Sequence, residues 1–320
     1  MTGMSSESCQ VERLSRLSAD EVGTVLALAS AAGDTDGAYP LSEHTVLHLR
    51  HGGDIPSVHL IARDPAGRLA GYAHVDTTDV VDGPSAELVV HPMGRRHGLG
   101  RALVLAALEA AAEADPGGRL RLWAHGDHPS ASALALSLNF RRARVLWQLR
   151  RSLYAEMPAP ELPDGVVLRP FRPGADDEQW LALNARAFAD HPEQGRWTPA
   201  DLRVRMAEPW FDPAGFLLAE RAGRLVGFHW TKVHGQLRGE AGEHAHHHDP
   251  LGEVYVLGVD PAEHGGGLGR ALTSAGLRHL RAHGLDQVML YVDESNHAAV
   301  ALYTRLGFAR WSTDVLFQRI

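Results

Sequence analysis

The chain has 320 residues, 44% of them apolar, enough for two ordinary domains each with its own core. A net charge of −8 argues against a general nucleic-acid binder, which needs a basic footprint, and no apolar run is long and charge-free enough to cross a bilayer. The single cysteine, Cys9, excludes a disulfide framework and a cysteine-based zinc cluster.

The N-terminal "MTGMSSESCQ" lacks the basic region and apolar stretch of a signal peptide, so a cytoplasmic protein is expected. Further along, "AGRLAGYAHV" from Ala66 predicts a glycine turn and a strand of alternating apolar character. "AELVVHP" from Ala86 is a short β-branched run that fits a buried strand. It leads into the glycine-rich "HPMGRRHGLGRAL" from His91, and "LGRALVLAALEAAAEA" then carries Leu and Ala at helical spacing. "RLRLWAHGDHPSASALALSLNF" from Arg119 reads as a strand, a polar turn and a short helix ending on an aromatic residue. "YAEMPAPELPDG" is proline-rich without apolar periodicity and is taken as a linker, dividing the chain into domains 1–156 and 157–320.

The same succession then repeats. "AGRLVGFHWTKV" starts at Ala222, "EVYVLGVDP" at Glu253, "DPAEHGGGLGRAL" at Asp260, "LGRALTSAGLRHLRAHG" at Leu268 and "QVMLYVDESNHAAVALYTRLGF" at Gln287. The second copy carries about a dozen extra residues between Lys232 and Glu253. Each half is therefore expected to be a mixed α/β domain.

A strand that ends in a glycine-rich loop and runs straight into a helix is an anion site, because the first helical N–H groups are unsatisfied and the helix dipole is positive there. Gly98, Gly100, Gly267 and Gly269 let a phosphate approach the backbone without a Cβ in the way. Neither loop matches the P-loop or the dinucleotide fingerprint. Lys232 is the only lysine among 31 basic residues, all the others being arginine. A compact ammonium kept where planar guanidinium forks are the rule reads either as a specific contact or as a chance survivor on a solvated face.

"RRHGLGRA" resembles the R/Q-x-x-G-x-G/A signature of the GNAT acetyltransferases. The resemblance covers both halves and implies two tandem GNAT domains, each a mixed, largely antiparallel twisted sheet flanked by helices. Acetyl-CoA is the implied cosubstrate, with room for one molecule per domain and no metal. The implied cofactor contacts in the first half are Leu88, Val89, Val90, Arg96, His97, Gly98, Leu99, Gly100 and Arg101. In the second half they are Leu257, Gly258, Val259, His264, Gly265, Gly266, Gly267, Leu268, Gly269 and Arg270, with Asn296, His297, Ala298, Ala299, Val300 and Ala301. Arg95 supplies the first signature residue in the first copy; His264 stands there in the second.

Acetyl transfer to an amine needs a base for the ammonium and an acid for the leaving thiolate. Glu253 sits on the strand that leads into the second loop, and the glycine-anchored alignment puts Pro84 at the matching place in the first half. Tyr303, matched by Ala135, is the acid that the GNAT resemblance implies, with a phenol near its ordinary pKa of about 10. The first half thus keeps its loop but lacks both groups and is read as catalytically degenerate, the second as the catalyst.

A narrower resemblance rests on "GFHWTKVH", "GEVYVLGVDP", "HPEQGRWT", "EPWFDPAG", "AELVVHP" and "LWAHG". It is to the actinobacterial tandem GNAT enzymes that acetylate the cysteinyl amine of cysteinyl-glucosaminyl-inositol, completing mycothiol. It implies acceptor contacts at Glu43, Glu193, Lys232, Glu253 and Tyr291. It also implies a monomer acting on a small-molecule amine, without nucleic-acid or membrane partners. Two other readings fit the motifs: a tandem GNAT enzyme for another small amine or a peptide N-terminus, and a non-catalytic acyl-CoA-binding protein. The run "HAHHHD", which contains His244 to His248, is read as a solvated loop, because adjacent residues seldom converge on one metal ion.

Overall fold

The computed structural model describes residues 10–52, 57–79, 81–189, 191–235 and 250–319. Cys9 and the histidine run 244–248 lie outside the described residues. The chain forms two compact units, one running to Leu146 and taken up again from Ser312, the other Trp147–Trp311.

The first unit contains β1 (Val11–Leu14), α1 (Ala19–Asp36), α2 (Glu43–His51), β2 (Ser57–Arg63), β3 (Leu69–Asp76), β4 (Ser85–Val90), α3 (Leu99–Ala114), β5 (Arg121–Ala124) and α4 (Pro129–Ser137). β6 (Phe140–Ser152) leads out of it, and the last strand, β12 (Ala309–Arg319), leads back in. Its strand order is β1-β2-β3-β4-β5-β12. β4 and β5 are parallel, and the remaining pairs are antiparallel. Alternation along β2 sends Leu60 and Ala62 to one face, against Leu103, Val104 and Ala107 of α3. Ile61 goes to the other face, with Val25, Leu28 and Ala29 of α1. The start of α1 is fixed by a capping box between Ser18 and Glu21, which satisfies two of its free N–H groups.

The second unit repeats the pattern with β7 (Val166–Pro170), α5 (Asp177–Ala187), α6 (Pro192–Gly195), α7 (Pro199–Met206), β8 (Phe216–Arg221), β9 (Arg224–His234), β10 (Leu251–Val259), α8 (Leu268–Ala282), β11 (Gln287–Asp293) and α9 (His297–Arg305). Its order is β6-β11-β10-β9-β8-β7, with β10 and β11 parallel. Trp180 of α5 is fully buried against Phe216, Phe228 and Trp230 on one face of this sheet. Leu268 and Leu272 of α8 pack with Val226 and Ala219 on the other.

The expected division at 156/157 does not coincide with these units. The chain passes from the first to the second inside β6, and it returns to the first along β12. Backbone donors and acceptors of a strand must be paired. Val315–Gln318 of β12 find their partners on Ala124–Arg121 of β5 in the first unit, while the neighbour of β6 in the second is β11. No helix among the described residues is long and apolar enough to cross a membrane.

Candidate functional site

β10 is the strand about which the second unit's site is built. Its ladder with β11 spans only Gly252 and Glu253, opposite Val288 and Met289, although both strands run on for several residues. The two parallel strands part there, and the backbone of β10 beyond Glu253 faces the opening. On its other edge, β10 pairs with β9 in a register that breaks between Val254 and Val256, leaving Tyr255 as the extra residue of a β-bulge. In the first unit β3 and β4 pair from Asp76–Ser85 to Gly71–Val90 without a break.

The bulge corrects the alignment of the halves. Glu253 lies opposite Lys232, and the equivalent pair in the first unit is Ser85 opposite Asp76. The glycine-anchored alignment pointed to Pro84 because it carried the inserted residue through the strand.

Directly opposed residues of an antiparallel pair share a face, so the Lys232 and Glu253 side chains stand together. Both are buried. Lys232 Nζ lies 4.6 Å from the centre of the Trp210 ring and 5.1 Å from that of Tyr255, a cation held by two aromatic walls. Tyr255 in turn takes a hydrogen bond from Arg205 Nε at 2.8 Å, and the Arg205 guanidinium sits 3.8 Å above the Trp197 ring. Glu253 Oε2 lies 2.6 Å from His234 Nε2. The expected base therefore has a cation across the ladder and an imidazole through which a proton can leave.

Tyr303 is buried in α9, edge-on to Phe308. Burial pushes its phenol up to about 12, which replaces the expectation of an ordinary phenol. It stays protonated across the neutral pH range. Tyr291 of β11 is 42% exposed, and Gln148 Nε2 donates to its Oη at 2.8 Å.

The glycine loops behave alike in the two units. Gly98 and Gly267 are the N-caps of α3 and α8, with φ of 85° and 82°, and neither helix start has a side-chain cap. A Cβ at Gly98 or Gly267 would meet nothing within 4 Å. Glycine is required there by the left-handed backbone, and the space above it is open. The first N–H groups of both helices are left for an anion. Arg96 and Gly265 occupy one loop position, both left-handed with φ of 68° and 83°; only the first half carries the strain of a side chain there. Arg95 does not point to a ligand, since it makes a bidentate pair with Asp36 at 2.7 Å. His264 Nε2 is 3.3 Å from the Val259 carbonyl. Asn296 caps α9 by accepting from Ala299 N at 3.1 Å.

Glu43 is the first residue of α2 and half-buried, in the first unit. Glu193 falls in α6. Sequence reasoning named neither Trp210 nor Tyr255 as walls around Lys232, although both lie in the quoted motifs "EPWFDPAG" and "GEVYVLGVDP".

It also missed a buried carboxylate in the first unit. Glu87 of β4 stands where the second unit has Val256. Glu87 Oε1 lies 3.5 Å from His125 Nε2, and His125 Nδ1 lies 2.8 Å from Asp314 Oδ2. Burial alone would lower the His125 pKa, but the hydrogen bond to Asp314 and the attraction of the Glu87 carboxylate outweigh it and raise it to about 10. Burial likewise opposes the Glu87 charge, yet His125 and the Ser42 N–H hold its carboxyl down at about 2. This carboxylate is committed to an internal ion pair. His48, His59 and His74 cluster nearby with ring centres 5.2 to 5.9 Å apart. Burial and mutual repulsion lower His59 to about 4 and His74 to about 3.

Residues 28–140 and 179–308 match the model of the acetyltransferase (GNAT) family. The chain is 61% identical over 321 residues to the mycothiol acetyltransferase of Salinispora arenicola, covering 100% of both chains. It is 59% identical over 316 residues to the mycothiol acetyltransferase of Acidothermus cellulolyticus, covering 98% of this chain and 95% of that one. Among solved structures it is similar to a GCN5-related N-acetyltransferase from Sphaerobacter thermophilus, at 26% identity and a TM-score of 0.68, covering 97% of this chain and 95% of the other. A tandem GNAT protein from the clavulanic acid biosynthesis pathway shares the fold, with a TM-score of 0.71 at 22% identity over 97% and 98% of the two chains.

Proposed function

The chain belongs to the GNAT acetyltransferase family and to the mycothiol acetyltransferases within it, and from that premise we propose that its second unit transfers acetyl from acetyl-CoA to the cysteinyl amine of cysteinyl-glucosaminyl-inositol. The observation that carries the assignment to the second unit is the pairing of Glu253 with Lys232 where β10 and β11 part. The corresponding pair in the first unit is Ser85 and Asp76.

On this reading Glu253 takes one proton from the acceptor ammonium and passes it towards His234. The freed amine attacks the thioester carbonyl carbon and forms the new C–N bond. Collapse of the tetrahedral adduct breaks the C–S bond. Tyr303 gives its proton to the leaving sulfur and recovers one from the second proton shed by nitrogen. Lys232 and Tyr291 hold the hydroxyl-rich part of the acceptor. The uncapped starts of α3 and α8 support one acetyl-CoA site in each unit, of which only the second turns over.

The test is mass spectrometry of the products formed from acetyl-CoA with cysteinyl-glucosaminyl-inositol and a panel of other amines. The expected product carries one acetyl group on the cysteinyl nitrogen, and Glu253→Gln slows its formation by about 10²–10⁴-fold. A higher kcat/KM on another amine would reassign the acceptor. Full activity in Glu253→Gln would remove the carboxylate from the chemistry. Calorimetry with acetyl-CoA should count two sites.

A further inference from the structure

On the far side of β9 from Lys232, three side chains that play no part in acetyl transfer converge on one point. Asp212 precedes the 3-10 turn Pro213–Gly215, and His279 and His283 lie one helical turn apart near the end of α8. His279 Nε2 is 3.2 Å from Asp212 Oδ2, and His283 Nε2 is 3.9 Å from the same oxygen. One potential ligand atom from each residue falls within 4.8 Å of the other two. Tetrahedral zinc with bonds of about 2.0–2.2 Å separates its ligand atoms by roughly 3.3 Å, so small rotamer adjustments close the set.

The surroundings orient these groups as a metal needs them. His283 Nδ1 lies 2.9 Å from the His279 carbonyl, which can only accept, so Nδ1 carries a proton and Nε2, the nitrogen turned to Asp212, is the one available to an ion. Asp212 Oδ1 is taken by the Ala214 N–H at 2.9 Å, which leaves Oδ2 directed at the two imidazoles. Gly215 makes room for the set: a Cβ there would sit 2.8 Å from His279 Nε2 and collide with Thr231 Oγ1. The His279 and His283 rings are 4.3 Å apart, and both nitrogens are turned to one oxygen, an arrangement that a cation between them satisfies.

We propose that Asp212, His279 and His283 form a binding site for a divalent transition metal of the zinc class, with the fourth position open to water. Nitrogen and carboxylate donors in this ratio suit zinc, cobalt or nickel and are poor for calcium or magnesium. The ion ties the turn after Phe211 to the end of α8. Trp210, which walls Lys232, lies two residues before Asp212, so the ion also steadies that wall.

The test uses the full chain with His244, His246, His247 and His248 replaced by Asn, so that the histidine run contributes no metal. Equilibrium dialysis against zinc, and the visible absorption of added cobalt, are compared with and without His279→Asn/His283→Asn. The expected result is the loss of one bound equivalent, together with the cobalt band and the zinc-dependent rise in melting temperature. Should the double variant not fold, Asp212→Asn carries the comparison, with zinc affinity at least tenfold weaker expected. Unchanged stoichiometry and an unchanged zinc-dependent melting shift in the folded variant would overturn the site.

Discussion

Lys232→Arg preserves charge and changes shape. The ammonium stands 4.6 Å from the Trp210 ring centre and 5.1 Å from that of Tyr255, and the residue is only 7% exposed. A guanidinium is planar and wider, and it must either displace one ring or withdraw from the acceptor. A charged donor then loses a hydrogen bond to a ring hydroxyl, worth about 1.5–3 kcal/mol. At about 1.4 kcal/mol per tenfold, acceptor kcat/KM falls roughly 10- to 150-fold. The KM for acetyl-CoA should stay unchanged. Steady-state kinetics with each substrate varied at saturation of the other reads both numbers. If Lys232→Arg weakens acetyl-CoA and spares the acceptor, the lysine belongs to the cofactor side, and the placement of the acceptor against β9 is wrong.

Tyr303→Phe should lower kcat by about 10²–10⁴-fold. With the phenol at about 12, the wild type should lose no activity through phenol ionisation up to pH 10, and a basic limb below pH 10 that vanishes in Tyr303→Phe would refute this. Gly267→Ala places a Cβ on a left-handed residue, so a strain of about 1–2 kcal/mol should raise the acetyl-CoA KM roughly 5- to 30-fold as the loop relaxes away from the helix start. Gly98→Ala should leave turnover intact, and equal losses in the two variants would contradict a catalyst confined to the second unit. His125 is raised from 6.5 to about 10, so its stabilisation is complete below about pH 6.5 and is lost as pH rises towards 10. Glu87 is lowered from 4.5 to about 2, so its share is complete above about pH 4.5 and is lost as pH falls towards 2. Denaturant unfolding of the wild type should show the alkaline loss of stability, with a flatter profile in His125→Gln; identical profiles would exclude the ion pair as its source.

What could be read from the sequence was whatever a local pattern encodes. The doubled strand–loop–helix, the uncapped helix starts at Gly98 and Gly267, and the polarity of β10 follow from glycine positions and from apolar periods of two and 3.6 along one stretch of chain. The isolated lysine also stood out, because composition alone makes it unusual. The tertiary structure decided what each residue faces. A period of two does not name the partner strand, so only the ladder sets Lys232 against Glu253, and only the bulge at Tyr255 shows that Ser85, not Pro84, is the counterpart. Burial acts in the same way. Tyr303 is an ordinary phenol in the sequence and reaches about 12 only when packing removes its water. Glu87, His125 and Asp314 are far apart in the chain and form one ion-pair network, because β12 returns to pair with β5. Register, desolvation and convergence of distant side chains depend on contacts across the chain, and no local pattern carries them.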